Sequence, residues 1–243
     1  MLSLVIFAIL LFASGAPPDS KDAAAIARAV EAHYAHSGTL KAAFYQRYRS
    51  GNQGGEAESG VVYFSKPGRM RWEYESPAKK LFLVDGANVW FYVPADRTVS
   101  RATLKESADW RTPLALLTGK THLNRLCKQL ELVGPADASR EATSRPNAAF
   151  DSQPLNSQDN VLRCLPGKIP ADVEAAAFRE ILFEVDPADR LVRVVVREPG
   201  DTETEFRFGN WQEQISIPET QFHFTPPPGV AVVDEQDLAK QVH

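Results

Sequence analysis

Cysteine and methionine are scarce in this chain, two of each among 243 residues, and no Cys-x-x-Cys occurs. Two cysteines alone cannot build a four-ligand zinc site, and a dithiol redox motif is excluded. Cys127 and Cys164 leave two readings open. One is a disulfide that closes a loop of about forty residues and contributes roughly 3–4 kcal/mol in an oxidising compartment. The other is a pair of unpaired core thiols. The five histidines are scattered. His33 and His36 share a helical spacing without a further ligand nearby, so they read as a solvated helix face and no metal is expected.

Catalytic signatures are also missing. The chain has no Gly-x-Ser-x-Gly elbow, no His-Glu-x-x-His, no phosphate-binding glycine loop and no dinucleotide fingerprint. Glu73 and Glu75 lie two apart, but Met70, Trp72 and Tyr74 form the apolar set of that strand, which leaves both carboxylates on its wet face. The expectation is a non-enzyme without a cofactor.

Long apolar runs are lacking as well. Leu4 to Ala13 is unbroken but about half of what a bilayer span requires, and it precedes Ser14, Gly15 and Ala16. It reads as the core of a signal peptide ending at residue 15, although Met1 to Ser3 carry no Lys or Arg. Residues 16–243 are then expected as a single exported domain, located in the periplasm.

What is present is a chain 44% hydrophobic and 24% charged, enough to bury a core. The net charge of −4 conceals an asymmetry, since residues 41–130 carry 15 Lys and Arg against 8 Asp and Glu. A dense basic stripe with interleaved aromatics is absent, so nucleic acid is not an expected partner. The basic half reads as a solvated face or as a surface for an acidic partner or an anionic membrane.

Residues 22–36 carry Ile26, Val30 and Tyr34 at helical spacing, with Gly38 as a stop. From Leu40 the period becomes two. Short aromatic and β-branched runs alternate with turn residues, which predicts an antiparallel meander of about ten or eleven strands. TQFHFTPP near the end reads as the last strand, and residues 234–241 as a short helix. Thr112 and Pro113 open a short leucine helix through Leu114, Leu116 and Leu117. Residues 134–160 have almost no large apolar residue and read as a long polar surface loop. The fold class is mainly β with a few short helices (α+β), a sheet that curls into an incompletely closed barrel.

Phe44, Val62, Phe64, Met70, Trp72 and Tyr74 supply large apolar side chains on one strand parity, and Trp90, Tyr92, Phe206, Phe208 and Phe222 extend the set. Pattern alone does not separate a packed interior from a lined cavity.

Two stretches, FSKPGRMRWEYESP (Phe64 to Pro77) and VDGANVWFYVP (Val84 to Pro94), resemble the periplasmic outer-membrane lipoprotein carrier family, LolA. AAFYQRY, PLALLTG and FHFTPPPGV match that family in the same order. The resemblance implies an incomplete antiparallel β-barrel whose short helices form a lid over an apolar cavity. It implies a monomeric chaperone that takes triacylated lipoproteins from an inner-membrane ABC transporter to an outer-membrane acceptor. Met70 and Trp72 would line the cavity, with Leu114, Leu116 and Leu117 on the lid. Lys66 stands where the family carries a basic residue, often Arg, that latches the lid. The other class of function compatible with the residues is a related barrel that binds or senses another lipid without delivering lipoproteins.

Overall fold

The structure is a computed structural model, and it describes residues 22–51, 55–103, 114–118, 122–133, 156–166 and 178–234. The expected signal peptide, most of the 134–160 loop and the expected C-terminal helix lie outside the described residues.

Helix α1 (Ala23–His36) begins where the Asp22 carboxylate accepts the Ala25 N–H at 2.5 Å, satisfying an amide that has no partner within the helix. Its buried face is Ile26, Ala27, Val30 and Tyr34, one stripe at a spacing of three to four.

Strands β1 (Thr39–Ser50), β2 (Glu56–Ser65), β3 (Arg69–Ser76), β4 (Lys80–Val84), β5 (Asn88–Val93) and β6 (Thr98–Thr103) form an antiparallel meander. A 3₁₀ segment, Leu114–Thr118, and a one-turn helix α2 (Leu123–Leu126) follow. Strands β7 (Gln129–Leu132), β8 (Asn160–Leu165), β9 (Glu180–Val185), β10 (Leu191–Arg197) and β11 (Thr202–Glu213) form a second meander. β11 pairs with β1, so the two meanders join into one sheet.

The last strand, β12 (Ala231–Asp234), runs parallel to β6. Among the described residues the sheet therefore has twelve strands, in the order β12-β6-β5-β4-β3-β2-β1-β11-β10-β9-β8-β7, with no pairing between β12 and β7. This corrects the expected count of ten or eleven and the wholly antiparallel pairing. The TQFHFTPP run is not a strand either: it holds a 3₁₀ turn, Glu219–Phe222, followed by extended chain. Pro226, Pro227 and Pro228 have no N–H to give a ladder. They carry the chain along the outside of the sheet to its far edge.

Strand alternation sorts side chains between two faces. The concave face and α1 share one apolar cluster that includes Leu40, Phe44, Phe64, Trp72, Phe183 and Phe206. Each large side chain withdrawn from water there contributes roughly 1.5–3 kcal/mol before entropy is counted. Gly60 is needed within this layer. A Cβ at that position would run into the Glu73 carbonyl oxygen across a β2–β3 bulge, and the Phe44 and Tyr74 rings meet edge to face at 5.0 Å on either side of it.

The convex face of β9 to β11 is held by buried ion pairs. Arg193 Nε lies 2.6 Å from Glu184, Arg197 Nε 2.6 Å from Glu203, and Arg197 Nη1 2.5 Å from Glu180. Such pairs gain little over apolar packing, but removing one partner strands a charge.

Candidate functional site

The strand registers concentrate aromatic rings at one place on the concave face. Phe44 stands opposite Phe208, and Gln46 opposite Phe206, across β1 and β11. Val62 stands opposite Trp72, and Trp72 opposite Phe82, across β2, β3 and β4. The Trp72 ring therefore meets Phe44 at 4.7 Å, Phe206 at 5.6 Å, and Phe64 and Phe208 at 6.1 Å. Edge-to-face contacts of this kind contribute roughly 0.5–1.5 kcal/mol each beyond area burial. Trp72 is 2% exposed.

Of the predicted residues, Phe44, Val62, Phe64, Met70, Trp72, Phe206 and Phe208 lie in this one cluster, and Tyr74 packs at its margin. Leu116 and Leu117 join it from the 3₁₀ segment. Leu114 opens that segment, but its side chain lies outside the described residues.

Trp90, Tyr92 and Phe222 are a correction to the expected single face. They pack in a second cluster with Leu81 and Leu83. Leu83 faces Trp90 and Leu81 faces Tyr92 in the β4–β5 ladder, while the alternate pair, Phe82 and Phe91, keeps the concave parity. The C-terminal segment crosses this convex patch. Arg71 Nη1 donates to the Gln221 carbonyl at 3.1 Å, and Phe222 is fully covered there. Asp234 then accepts two bonds from Arg101, at 2.6 and 2.8 Å.

Lys66 sits in the turn between β2 and β3. Its ammonium donates to the backbone carbonyl of Tyr34, in the last turn of α1. A cation suits that position, since the final carbonyls of a helix have no partner within it. Partial burial lowers the Lys66 ammonium from its ordinary pKa. The latch expected on the leucine segment therefore reaches α1 instead. The same turn touches the leucine segment through its backbone, where Gly68 N–H donates to the Thr118 carbonyl at 3.3 Å.

Tyr34 also secures α1 on the other side. Its hydroxyl accepts the Leu191 N–H at 2.9 Å, and burial pushes the phenol well above its usual pKa. Trp211, which the pattern does not single out, donates its indole N–H to the Leu191 carbonyl at 3.0 Å and lies against Phe64 and Phe208. A lone tryptophan among exposed polar neighbours gives no periodic signal.

Cys127 and Cys164 are disulfide-bonded, with Cα atoms 5.1 Å apart. The bond ties the end of α2 to β8. Among the described residues, three or more His, Cys, Asp or Glu side chains do not gather where they could hold a metal, and no helix is long and apolar enough to cross a membrane.

Residues 35–149 match the family model described as outer membrane lipoprotein carrier protein LolA. Along these residues the chain is similar to the LolA family. An outer-membrane lipoprotein carrier protein of Nitrosospira multiformis is 27% identical over 182 residues, 74% of each chain. A protein of the same name from Chromobacterium violaceum is 27% identical over 213 residues, 87% of this chain and 88% of its own. In three dimensions, the crystal structure of an uncharacterized conserved protein from Thermus thermophilus superposes with a TM-score of 0.50 at 14% identity. It covers 86% of this chain and 96% of its own, and it shares the fold. The LolA match spans α1's end through β7, the half that carries Lys66, Met70, Trp72 and the leucine segment.

Proposed function

We propose that this protein is a periplasmic carrier that shelters the acyl chains of triacylated lipoproteins and moves them from the inner to the outer membrane. The observation that carries the reading is the aromatic layer around Trp72, continuous across β1, β2, β3 and β11 and covered by α1 and the leucine segment rather than by another sheet. A cover made of one helix and a short 3₁₀ segment is displaced by breaking few backbone bonds, whereas a sheet cover is not. Each exposed CH₂ costs roughly 0.8 kcal/mol, so long acyl chains need such shelter to cross water. In the state described, the layer is filled by its own side chains. Loading then consists of moving the cover and letting acyl chains replace aromatic and leucine contacts, at an affinity set by the balance of the two packings.

A disulfide is at home in an oxidising compartment, which supports the periplasmic reading, as does the signal peptide expected from the sequence. The carrier reading further implies donation by an inner-membrane ABC transporter, acceptance at the outer membrane, and action as a monomer.

The test is to purify the protein from a bacterial periplasm, extract it with organic solvent and identify what co-purifies by mass spectrometry. Triacylated lipoproteins are the expected cargo. Free fatty acids, phospholipids or other lipids alone would replace this reading with that of a lipid-binding barrel that delivers no lipoprotein.

A further inference from the structure

Two aromatic side chains on the concave parity remain substantially exposed, Phe91 on β5 at 38% and Tyr48 near the end of β1 at 44%. They mark two different ways into the aromatic layer. The Tyr48 end is closed by polar groups. Beyond Phe44 the face carries Gln46, which accepts the Tyr74 hydroxyl at 2.8 Å, and the Lys80–Glu58 ion pair, whose ammonium lies 5.6 Å from the Tyr74 ring centroid. A hydrocarbon chain threading that end would strip water and partners from a charged pair. The Phe91 side has no such barrier among the described residues. Trp72, Phe82 and Phe91 are successive cross-strand partners on β3, β4 and β5, an apolar row that runs from the buried centre to solvent.

The attachments of the cover point the same way. At the β7–β8 end of the sheet it is fixed covalently, through Cys127–Cys164. Helix α1 is bound to α2 there, because Glu31 Oε1 accepts the Leu123 N–H at 2.6 Å and its other oxygen lies 3.5 Å from His122. Tyr34 adds the bond to Leu191 of β10. Toward β2 and β3 the attachments among the described residues include the Lys66–Tyr34 bond and the long Gly68–Thr118 bond. Among the described residues, the covalent tie of the cover and the bonds of Glu31 and Tyr34 lie at the β7–β10 end of the sheet, and two hydrogen bonds hold it toward β2 and β3.

We infer that acyl chains enter laterally, over Phe91 along the Phe82–Trp72 row, while the cover swings about α2 at its disulfide-bonded edge. The inference rests on the carrier reading and adds the route. It makes Phe91 the first residue that a hydrocarbon chain meets, and it makes the disulfide a fixed hinge rather than a mere staple.

The test uses the mature protein with its disulfide intact and a synthetic triacylated lipopeptide. A photoreactive phenylalanine analogue replaces Phe91 in one preparation and Tyr48 in another, and crosslinking is measured at saturating lipopeptide. Several-fold more crosslinking at position 91 than at 48 is expected. In parallel, Phe91→Gln should slow lipopeptide uptake several-fold at an unchanged thermal midpoint, and Tyr48→Gln should leave the rate near that of the parent. Equal or greater crosslinking at 48, or a larger slowing by Tyr48→Gln, overturns the lateral route while leaving carriage intact. Absence of saturable lipopeptide binding by the unsubstituted protein overturns the carrier reading and the route together.

Discussion

Lys66 and Tyr34 are 32 positions apart, yet the Lys66 ammonium donates to the Tyr34 carbonyl and so joins the β2–β3 turn to the final turn of α1. One side chain from a turn thus holds the helix that covers the aromatic layer. Removing it, as in Lys66→Met, keeps most of the apolar stem and deletes the charge-assisted bond. A hydrogen bond of this kind is worth about 1–2 kcal/mol. The closed state loses that amount and the loaded state does not. Lipopeptide affinity is therefore expected to rise by roughly five- to thirty-fold, with release slowed correspondingly. Stopped-flow loading and competition release measure both. Unchanged release would show that the bond does not hold the cover.

Gly60 gives a sharper structural test. A methyl group there collides with the Glu73 carbonyl, backbone against backbone, so neither side can yield by a rotamer change. Gly60→Ala is expected to destabilise the protein by about 2–4 kcal/mol, within the range seen when a side chain is forced into an occupied core site. Urea titration followed by circular dichroism reads it directly. A negligible loss would mean that the bulge shifts to make room.

The disulfide closes a loop over a separation of 37 residues. Its removal by a double Cys127→Ser, Cys164→Ser substitution is expected to cost roughly 3–4 kcal/mol through the freed unfolded chain. Thermal unfolding with and without reductant should show the parent falling to the variant's midpoint and the variant indifferent to reductant.

Asp85 sets a pH dependence. Partial burial raises its pKa, but bonds from the Asn88 amide N–H, the Trp90 indole, the Ala87 N–H and the Asn88 side chain outweigh that and hold the carboxyl below its ordinary value. A carboxylate depressed in the folded state stabilises above its unfolded pKa, near 4 by the usual reference (about 3.9), and that stability is lost as pH falls through the folded value. Asp85→Asn should therefore be less stable than the parent at neutral pH and should show a shallower loss of stability below about pH 4. Parallel curves for the two proteins would assign the acid sensitivity elsewhere.

Much of this fold was legible along the chain because each element carried its own period. The 26, 30, 34 stripe located α1, and the alternation of Met70, Trp72 and Tyr74 placed β3 correctly against the core. Trp90 and Tyr92 were not legible. β4 is buried on both faces, so its sequence, KLFLV, names no side, and the face of β5 is fixed only by how the Asp85–Gly86 turn sets the register. The cover over that convex patch comes from Phe222, far downstream of both, and a contact so distant leaves no local pattern. The role of Lys66 was half legible. The resemblance to LolA implied a latch at Lys66, whereas its place in the turn alone reads as a plain turn residue, and its partner is a backbone carbonyl, which any residue at position 34 would present.

The most direct test of the carrier account is titration of the purified mature protein with a triacylated lipopeptide, following tryptophan emission. Trp72 and Trp211 both lie in the aromatic layer. Saturable binding with a spectral shift is expected, and Trp72→Phe should remove most of the shift while preserving binding. A folded protein that gives no saturation and no shift would contradict the account, since the aromatic layer would then be a permanent core rather than a place for acyl chains.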